Sequence, residues 1–220
     1  MKYEHYKILA QLFKFPDKNY RTVCQEVQKY FDENEPEIGT ILSNFTNELG
    51  SNEITIHELF VCTFDVQAIT TLDIGYVLFG DDYKRGEILA NLNRELKAHH
   101  IDSRGELSDH LSNVLQLMSG WNNAELRAEF AGLVLFPALI KMRNEFNPSI
   151  VKKKNIYYKK AFKTVLDTPE NLRLIYKYCL SAVIALLQIE FPAITLIQND
   201  TEGNDFLVSL AHETAVENAI

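Results

Sequence analysis

Nearly every stretch of this chain repeats its apolar residues at intervals of three and four, and almost none alternates them. Val23, Val27, Tyr30 and Phe31 make one stripe, Ile38, Ile41, Leu42, Phe45 and Leu49 a second, and Leu111, Val114, Leu115 and Met118 a third. Residues spaced this way share one face of a 3.6-residue helix, whereas a half-buried strand needs a period of two. The pattern therefore predicts an all-α fold in which each stripe is covered by another helix. With 220 residues, 46% hydrophobic content and only 9 Gly and 6 Pro, the chain can bury a full core, and its length suggests one domain. A single helical bundle is expected over residues 1–197.

Helix boundaries are legible from breakers and caps. Phe15-Pro16-Asp17, Asn34-Glu35-Pro36, Asn147-Pro148-Ser149 and Thr168-Pro169-Glu170 each mark an end or a start, with Thr168 suited to an N-cap and Pro169 to the first helical position. Thr55-x-x-Glu58 and Ser103-x-x-Glu106 both have capping-box spacing, which places Glu58–Asp65 and Glu106–Leu111 at or near helix starts. From Asn122 to Phe146 one long helix is expected, kinked or divided by Pro137. The most apolar stretch, Tyr178 to Ile197, is interrupted by Gln188, Glu190 and Pro192, while a spanning helix needs roughly 20 predominantly apolar residues. It reads as a core helix ending near Phe191, with no direct membrane insertion. Residues 198–220 read as an acidic, mobile tail with a short helix near Phe206–Ala211. The N-terminus enters an amphipathic pattern without a signal core, so a cytoplasmic location is expected.

The formal net charge of −8 disfavours nucleic acid, whose phosphates require a basic stripe. Lys152-Lys153-Lys154 with Lys159-Lys160 is the only concentrated positive charge and reads as a solvated face. Cys24, Cys62 and Cys179 are odd in number and far apart, so they read as buried, reduced thiols. Gly75-x-x-x-x-Gly80 has phosphate-loop glycine spacing, but Asp81-Asp82 stands where Lys and a hydroxyl would be needed. No G-x-S-x-G turn is present. His99-His100 with Asp102 fails as a metal site, because adjacent helical side chains point about 100° apart. Helical phosphohydrolases need His-Asp, and here the pair runs in the opposite order, Asp109-His110. No catalytic residue, metal or cofactor is expected.

What remains is a set of polar groups beside apolar ones. Glu58 and Asp65 are seven residues apart and would share a helix face, with Phe60 and Phe64 as a neighbouring stripe. The connector around Gly80–Gly86 adds Asp81 and Asp82, and the next helix should bury Ile88, Leu89, Leu92 and Leu96 while turning Lys84, Glu87, Asn91 and Glu95 to water. An acidic rim over an apolar floor would suit a peptide carrying both arginine and leucine-like residues.

Three motifs in order carry a family resemblance: Glu58-Leu59-Phe60-x-x-Thr63-Phe64-Asp65, then Tyr76-x-Leu78-Phe79-Gly80 leading to Lys84-Arg85-Gly86, then Glu106-Leu107-x-Asp109-His110-Leu111-x-x-Val114-Leu115. Together they resemble the nitrate reductase molybdenum cofactor assembly chaperones, the NarJ-type (delta subunit) members of the TorD/DmsD group, across roughly the middle third of the chain. The resemblance implies an all-helical cytoplasmic chaperone that binds the N-terminal, sometimes twin-arginine-like, segment of a molybdoenzyme's catalytic subunit, foremost the respiratory nitrate reductase alpha subunit. It would hold the apoenzyme for molybdenum cofactor insertion, with the insertion machinery as a further partner, and would not itself be an enzyme. It implies client-peptide contacts from Glu58, Phe64, Asp65, Tyr76, Asp82, Arg85, Gly86, Glu106, Asp109 and His110, the last group forming a hinge. The family commonly has Pro before the Asp-His pair, and this chain has Ser108. The alternatives are a chaperone for another molybdoenzyme with a twin-arginine signal, or a non-catalytic helical adaptor. A helical enzyme would additionally need a metal or nucleotide.

Overall fold

The computed structural model describes residues 3–50, 55–162 and 170–193. The expected tail from residue 198, the helix near Phe206–Ala211 and the start signal at Thr168-Pro169 lie outside the described residues. The elements in order are α1 (Glu4–Leu9) with a 3₁₀ turn (Ala10–Phe13), α2 (Tyr20–Asn34), α3 (Pro36–Gly50), α4 (Ile56–Phe64), α5 (Ile74–Phe79), α6 (Tyr83–Ala98), α7 (Leu111–Gly120), α8 (Ala124–Phe130), a π turn (Ala131–Leu135), α9 (Phe136–Asn144), α10 (Pro148–Phe162), α11 (Glu170–Arg173) and α12 (Tyr176–Glu190). No strand occurs among the described residues; extended backbone pairs once, in an isolated antiparallel bridge between Asp73 and His110. The all-α expectation holds. None of the described helices is long and apolar enough to cross a membrane.

The stripes read from sequence are the faces that pack. In α2, Tyr20, Cys24, Val27 and Phe31 are buried, and in α3 Ile38, Leu42, Phe45 and Leu49 face them. Glu35 breaks the helix between them, and Pro36 opens α3, where its fixed φ suits a first turn and its missing N–H costs no bond. α3 packs on α12, which also touches α9 and α1. α12 buries Tyr176, Cys179, Leu180, Ala182, Val183, Ile184, Leu186 and Leu187, most of its circumference, and ends where Phe191 and Pro192 follow. α7 is enclosed likewise, against α1, the 3₁₀ turn and α6.

Aromatic rings fill the space between α3, α4 and α12. Phe64 lies 4.8 Å from Tyr176, Phe45 5.1 Å from Tyr176, and Phe60 5.1 Å from Phe64. Tilted and edge contacts of this kind add to the gain from burial. The two phenols in this dry region are satisfied, Tyr20 donating to the Leu12 carbonyl and lying 3.0 Å from the Tyr176 hydroxyl. All three cysteines are free and buried.

The Asn122–Phe146 stretch is a rod with a defect where Pro137 predicts one. Asn123 caps its start by accepting from the N–H groups of Glu125 and Leu126. The π turn, in which Phe136 N–H bonds to the Ala131 carbonyl, then widens the helix before Pro137. That slack accommodates a ring that would clash with the preceding turn.

Leu42 is 1% exposed on α3. Leu42→Ala is expected to lower unfolding free energy by about 2–5 kcal/mol, as transfer and cavity terms add. Urea titration followed by circular dichroism measures it; a loss under 1 kcal/mol would mean that this face is not packed.

Candidate functional site

Two backbone hydrogen bonds join segments far apart in sequence. Ile74 N–H donates to the Asp109 carbonyl at 3.0 Å, and Leu111 N–H donates to the Leu72 carbonyl at 2.8 Å. This pairing sets the start of α5 beside the start of α7. α6 supplies the third component: Asp82 caps it by accepting from Lys84 N–H at 2.9 Å, which places Arg85 in the first turn. Arg85 Nε donates to Asp109 Oδ2 and a terminal nitrogen to Asp73 Oδ2, each at 3.1 Å. The guanidinium also lies 5.1 Å from the centre of the Tyr76 ring. Three helix starts are thus tied by one cation.

The backbone of α5 comes close to this ion pair. A Cβ at Gly75 would stand 2.7 Å from Asp109 Oδ2 and 3.4 Å from Arg85 Cγ, so a side chain there displaces the pair. Gly75, singled out in sequence only as half of a failed phosphate loop, is needed for this approach. Asp109 is fully buried, and its second oxygen, Oδ1, has no hydrogen-bond partner among the described residues. Two carboxylates thus share one guanidinium. The Asp73 carboxyl is pushed up, first by burial and then by the charge of Asp109, with Arg85 opposing both.

His110 is the N-cap of α7. Its Nδ1 accepts from Ser112 N–H at 3.3 Å and lies 2.9 Å from the Ser112 hydroxyl. Burial drives its pKa down from 6.5 to about 4. The ring is therefore neutral at pH 7, and the 4.0 Å approach of Glu106 is not an ion pair there. Ser108, where the resembling family commonly has Pro, is restrained differently: its hydroxyl donates to the Leu89 carbonyl of α6 at 2.8 Å. Asn113 holds the Leu107 carbonyl at 2.9 Å.

This corrects the local reading of the sequence. Glu106–His110 is not helical: α7 begins at Leu111, and Ser103-x-x-Glu106 forms a turn in which Glu106 N–H meets the Ser103 carbonyl. Thr55 does cap α4, accepting from Glu58 N–H at 3.2 Å. Glu58 is exposed on that first turn; Asp65, also exposed, lies beyond the last helical residue, so the two do not share a helix face. Phe64, like Phe60, lies in the aromatic core rather than on an open floor. Gly86 is exposed in α6 with open space around it. Glu95, expected to face water, accepts from Trp121 Nε1 at 2.8 Å. Tyr76 and Glu106 are exposed beside the node.

Sequence reasoning missed Asp73 and Arg173. Asp73, directly before Ile74-Gly75-Tyr76, had only its N-cap position as a signal, and its side chain is used on Arg85 instead. Arg173 is buried and donates to the carbonyls of Cys62 at 2.9 Å and Gln67 at 2.7 Å, and to Asn155 Oδ1 at 3.0 Å. Tyr158 donates to the Ala68 carbonyl at 3.1 Å, and Lys154 to that of Ile69. The segment leaving α4 is thereby fixed from α10 and α11, and nothing in its own sequence announces that. Among the described residues no group of three or more His, Cys, Asp or Glu side chains is placed to hold a metal ion.

Two predictions follow from this geometry. Arg85→Gln, which leaves two carboxylates without a counter-charge, is expected to cost about 3–5 kcal/mol, and Gly75→Ala about 1–3 kcal/mol; urea titration at pH 7 measures both, and a neutral Arg85→Gln would show the node to be dispensable. A His pKa lowered on folding means that the unfolded chain binds more protons between pH 6.5 and about 4. The contribution of neutral His110 is thus complete above pH 6.5 and is lost as pH falls toward 4, on the order of 3 kcal/mol in all. His110→Asn, which keeps a capping oxygen without the titration, is expected to flatten the dependence between pH 7 and 5 relative to the unsubstituted chain. Parallel slopes for the two proteins would rule out His110 as its source.

A scan against models of known protein families, a search of curated proteins and a search of solved structures each return no match for this chain.

Proposed function

We propose that the chain is a cytoplasmic, system-specific chaperone that binds the N-terminal segment of a molybdoenzyme catalytic subunit, foremost that of respiratory nitrate reductase, and holds the apoenzyme for molybdenum cofactor insertion. One observation carries the reading. The second and third resembling motifs, separated by some twenty residues, meet at one buried node, where Arg85 links the start of α6 to Asp109 beside the start of α7. A motif whose spacing serves a shared geometry is better support than the same letters scattered over unrelated surfaces.

The node itself is closed, so it acts as a frame for what surrounds it. Along the chain it is flanked by exposed apolar side chains, Tyr76, Tyr83 and Leu107, and by exposed acids, Asp81, Asp82 and Glu106. A segment carrying both arginine and leucine-like residues matches that mixture. The apolar floor inferred from Phe60 and Phe64 is replaced in this role by Tyr76, Tyr83 and Leu107. Exposed charge pairs contribute only about 0.2–1 kcal/mol each, so client side-chain burial supplies most of the affinity, while the acids supply orientation and on-rate. Asp109 and His110 act through the frame, because the first is wholly buried and the second caps α7.

The test is calorimetry with a synthetic peptide spanning the N-terminal segment of the nitrate reductase catalytic subunit. Glu106→Gln combined with Leu107→Ser, both at exposed positions, is expected to weaken binding by about tenfold or more without changing helicity. Saturable binding by the unsubstituted chain that the double variant leaves intact would move the client site elsewhere. Absence of binding by the unsubstituted chain would remove this client.

A further inference from the structure

A cleft of about 520 Å³ opens between α9, the start of α10 and α12, on side chains that have no part in the node. Its polar lining combines two cations, Arg143 and Lys177, with the neutral side chains of Asn144, Asn147 and Ser181. The side chain of Arg143, half-buried, makes no hydrogen bond or ion pair with any described residue. The Lys177 ammonium, also half-buried, lies 4.9 Å from the Tyr178 ring and has no ion-pair partner among the described residues. The side chains of Asn144 and Ser181 likewise have no partner among the described residues.

A helix C-terminus is an ordinary place for an arginine, since its free carbonyls attract cations. The dipole favours Arg143 in the last turn of α9, but it supplies no hydrogen-bond acceptor to the guanidinium. The last carbonyls of α9 are already met by backbone: Glu145 N–H reaches those of Lys141 and Met142, Phe146 N–H that of Arg143, and Asn147 N–H that of Asn144. Among the described residues no carboxylate lines the cleft, and the nearby Glu145 is engaged by Lys154 at 2.8 Å. α10 has no acidic residue in its first turn and carries Lys152, Lys153, Lys154, Lys159 and Lys160. In a chain of net charge −8, Arg143 and Lys177 bring two cations, with no carboxylate partner among the described residues, to one concavity.

We propose that the cleft binds a small phosphate ester. The Arg143 fork and the Lys177 ammonium together match a dianionic phosphate, the guanidinium by paired donors and the ammonium as a point charge. Asn144 and Ser181 supply neutral donors, and Phe146, Ile150 and Tyr178 give the cleft an apolar side for the ester group. The volume is that of a small-ligand site. This inference stands on different residues from the client surface and does not depend on it.

The test uses phenyl phosphate, inorganic phosphate and phenol as probes, followed by calorimetry at low salt and by amide chemical-shift mapping of the full chain. Phenyl phosphate is expected to bind best, inorganic phosphate more weakly and phenol not at all, with shifts at Asn144, Asn147 and Ser181. Arg143→Gln and Lys177→Gln are each expected to weaken phenyl phosphate by about tenfold, the loss of one charge-assisted hydrogen bond, while Lys141→Gln, outside the lining, leaves it unchanged. Both positions are partly exposed, so circular dichroism should show the variants folded. No binding of phenyl phosphate at millimolar concentration, or equal binding by the Arg143→Gln, Lys177→Gln double variant, would overturn the proposal.

Discussion

A helix that is apolar on nearly all sides has to be wrapped, and α12 is such a helix. Its buried residues run through Tyr176, Cys179, Leu180, Val183, Ile184 and Leu187, and α1, α3 and α9 cover it. Each enclosed leucine or valine gains roughly 1.5–3 kcal/mol over its exposed state, so the arrangement of the flanking helices follows from closing that surface. Tyr176 shows how closely the enclosure is specified: its ring meets Phe45, Phe60 and Phe64, while its hydroxyl finds Tyr20. A polar end is tolerated there because it is satisfied.

The Arg85 node is a different kind of restraint. α5 is only six residues long, and the approach to α7 is not helical, so neither is held by a long packed face. The Asp73–His110 bridge fixes their register and the shared guanidinium fixes their direction. A buried ion pair is a poor source of net stability, because desolvation offsets attraction, but breaking one half of it is costly. The node therefore specifies the arrangement more than it stabilises it. The exposed Tyr76, Leu107 and Glu106 inherit their relative positions from that specification, as the proposed client-binding role would require.

Charge follows the same division. The chain is acidic as a whole, yet α10 carries Lys152, Lys153, Lys154, Lys159 and Lys160, and Arg143 and Lys177 line a cleft with no carboxylate among the described residues. Exposed acids are spread over the other helices and turns, Asp32, Glu33 and Glu37 at the α2–α3 junction and Asp81, Asp82 and Glu106 beside the node among them. Screening limits the reach of exposed charges to about 8–10 Å at ordinary ionic strength, so each region is governed by its own nearby charges.

The sequence by itself determined the helical class, the packing faces and most boundaries. The stripes of α2, α3 and α7, the breaks at Glu35-Pro36 and Asn147-Pro148, the Thr55 cap and the disturbance before Pro137 all depend on local geometry, which a window of a few residues contains. It erred at Ser103-x-x-Glu106, where correct capping-box letters precede no helix, because Asp109 and Leu111 are drawn into pairing with the α5 segment. Only the tertiary structure decided that Phe64 is core, that Asp73 and Asp109 share Arg85, that Gly75 must lack a side chain, and that Arg173 fixes the segment after α4. Each of these joins residues remote in the chain, and burial, ion pairing and close approach depend on neighbours that no local window includes.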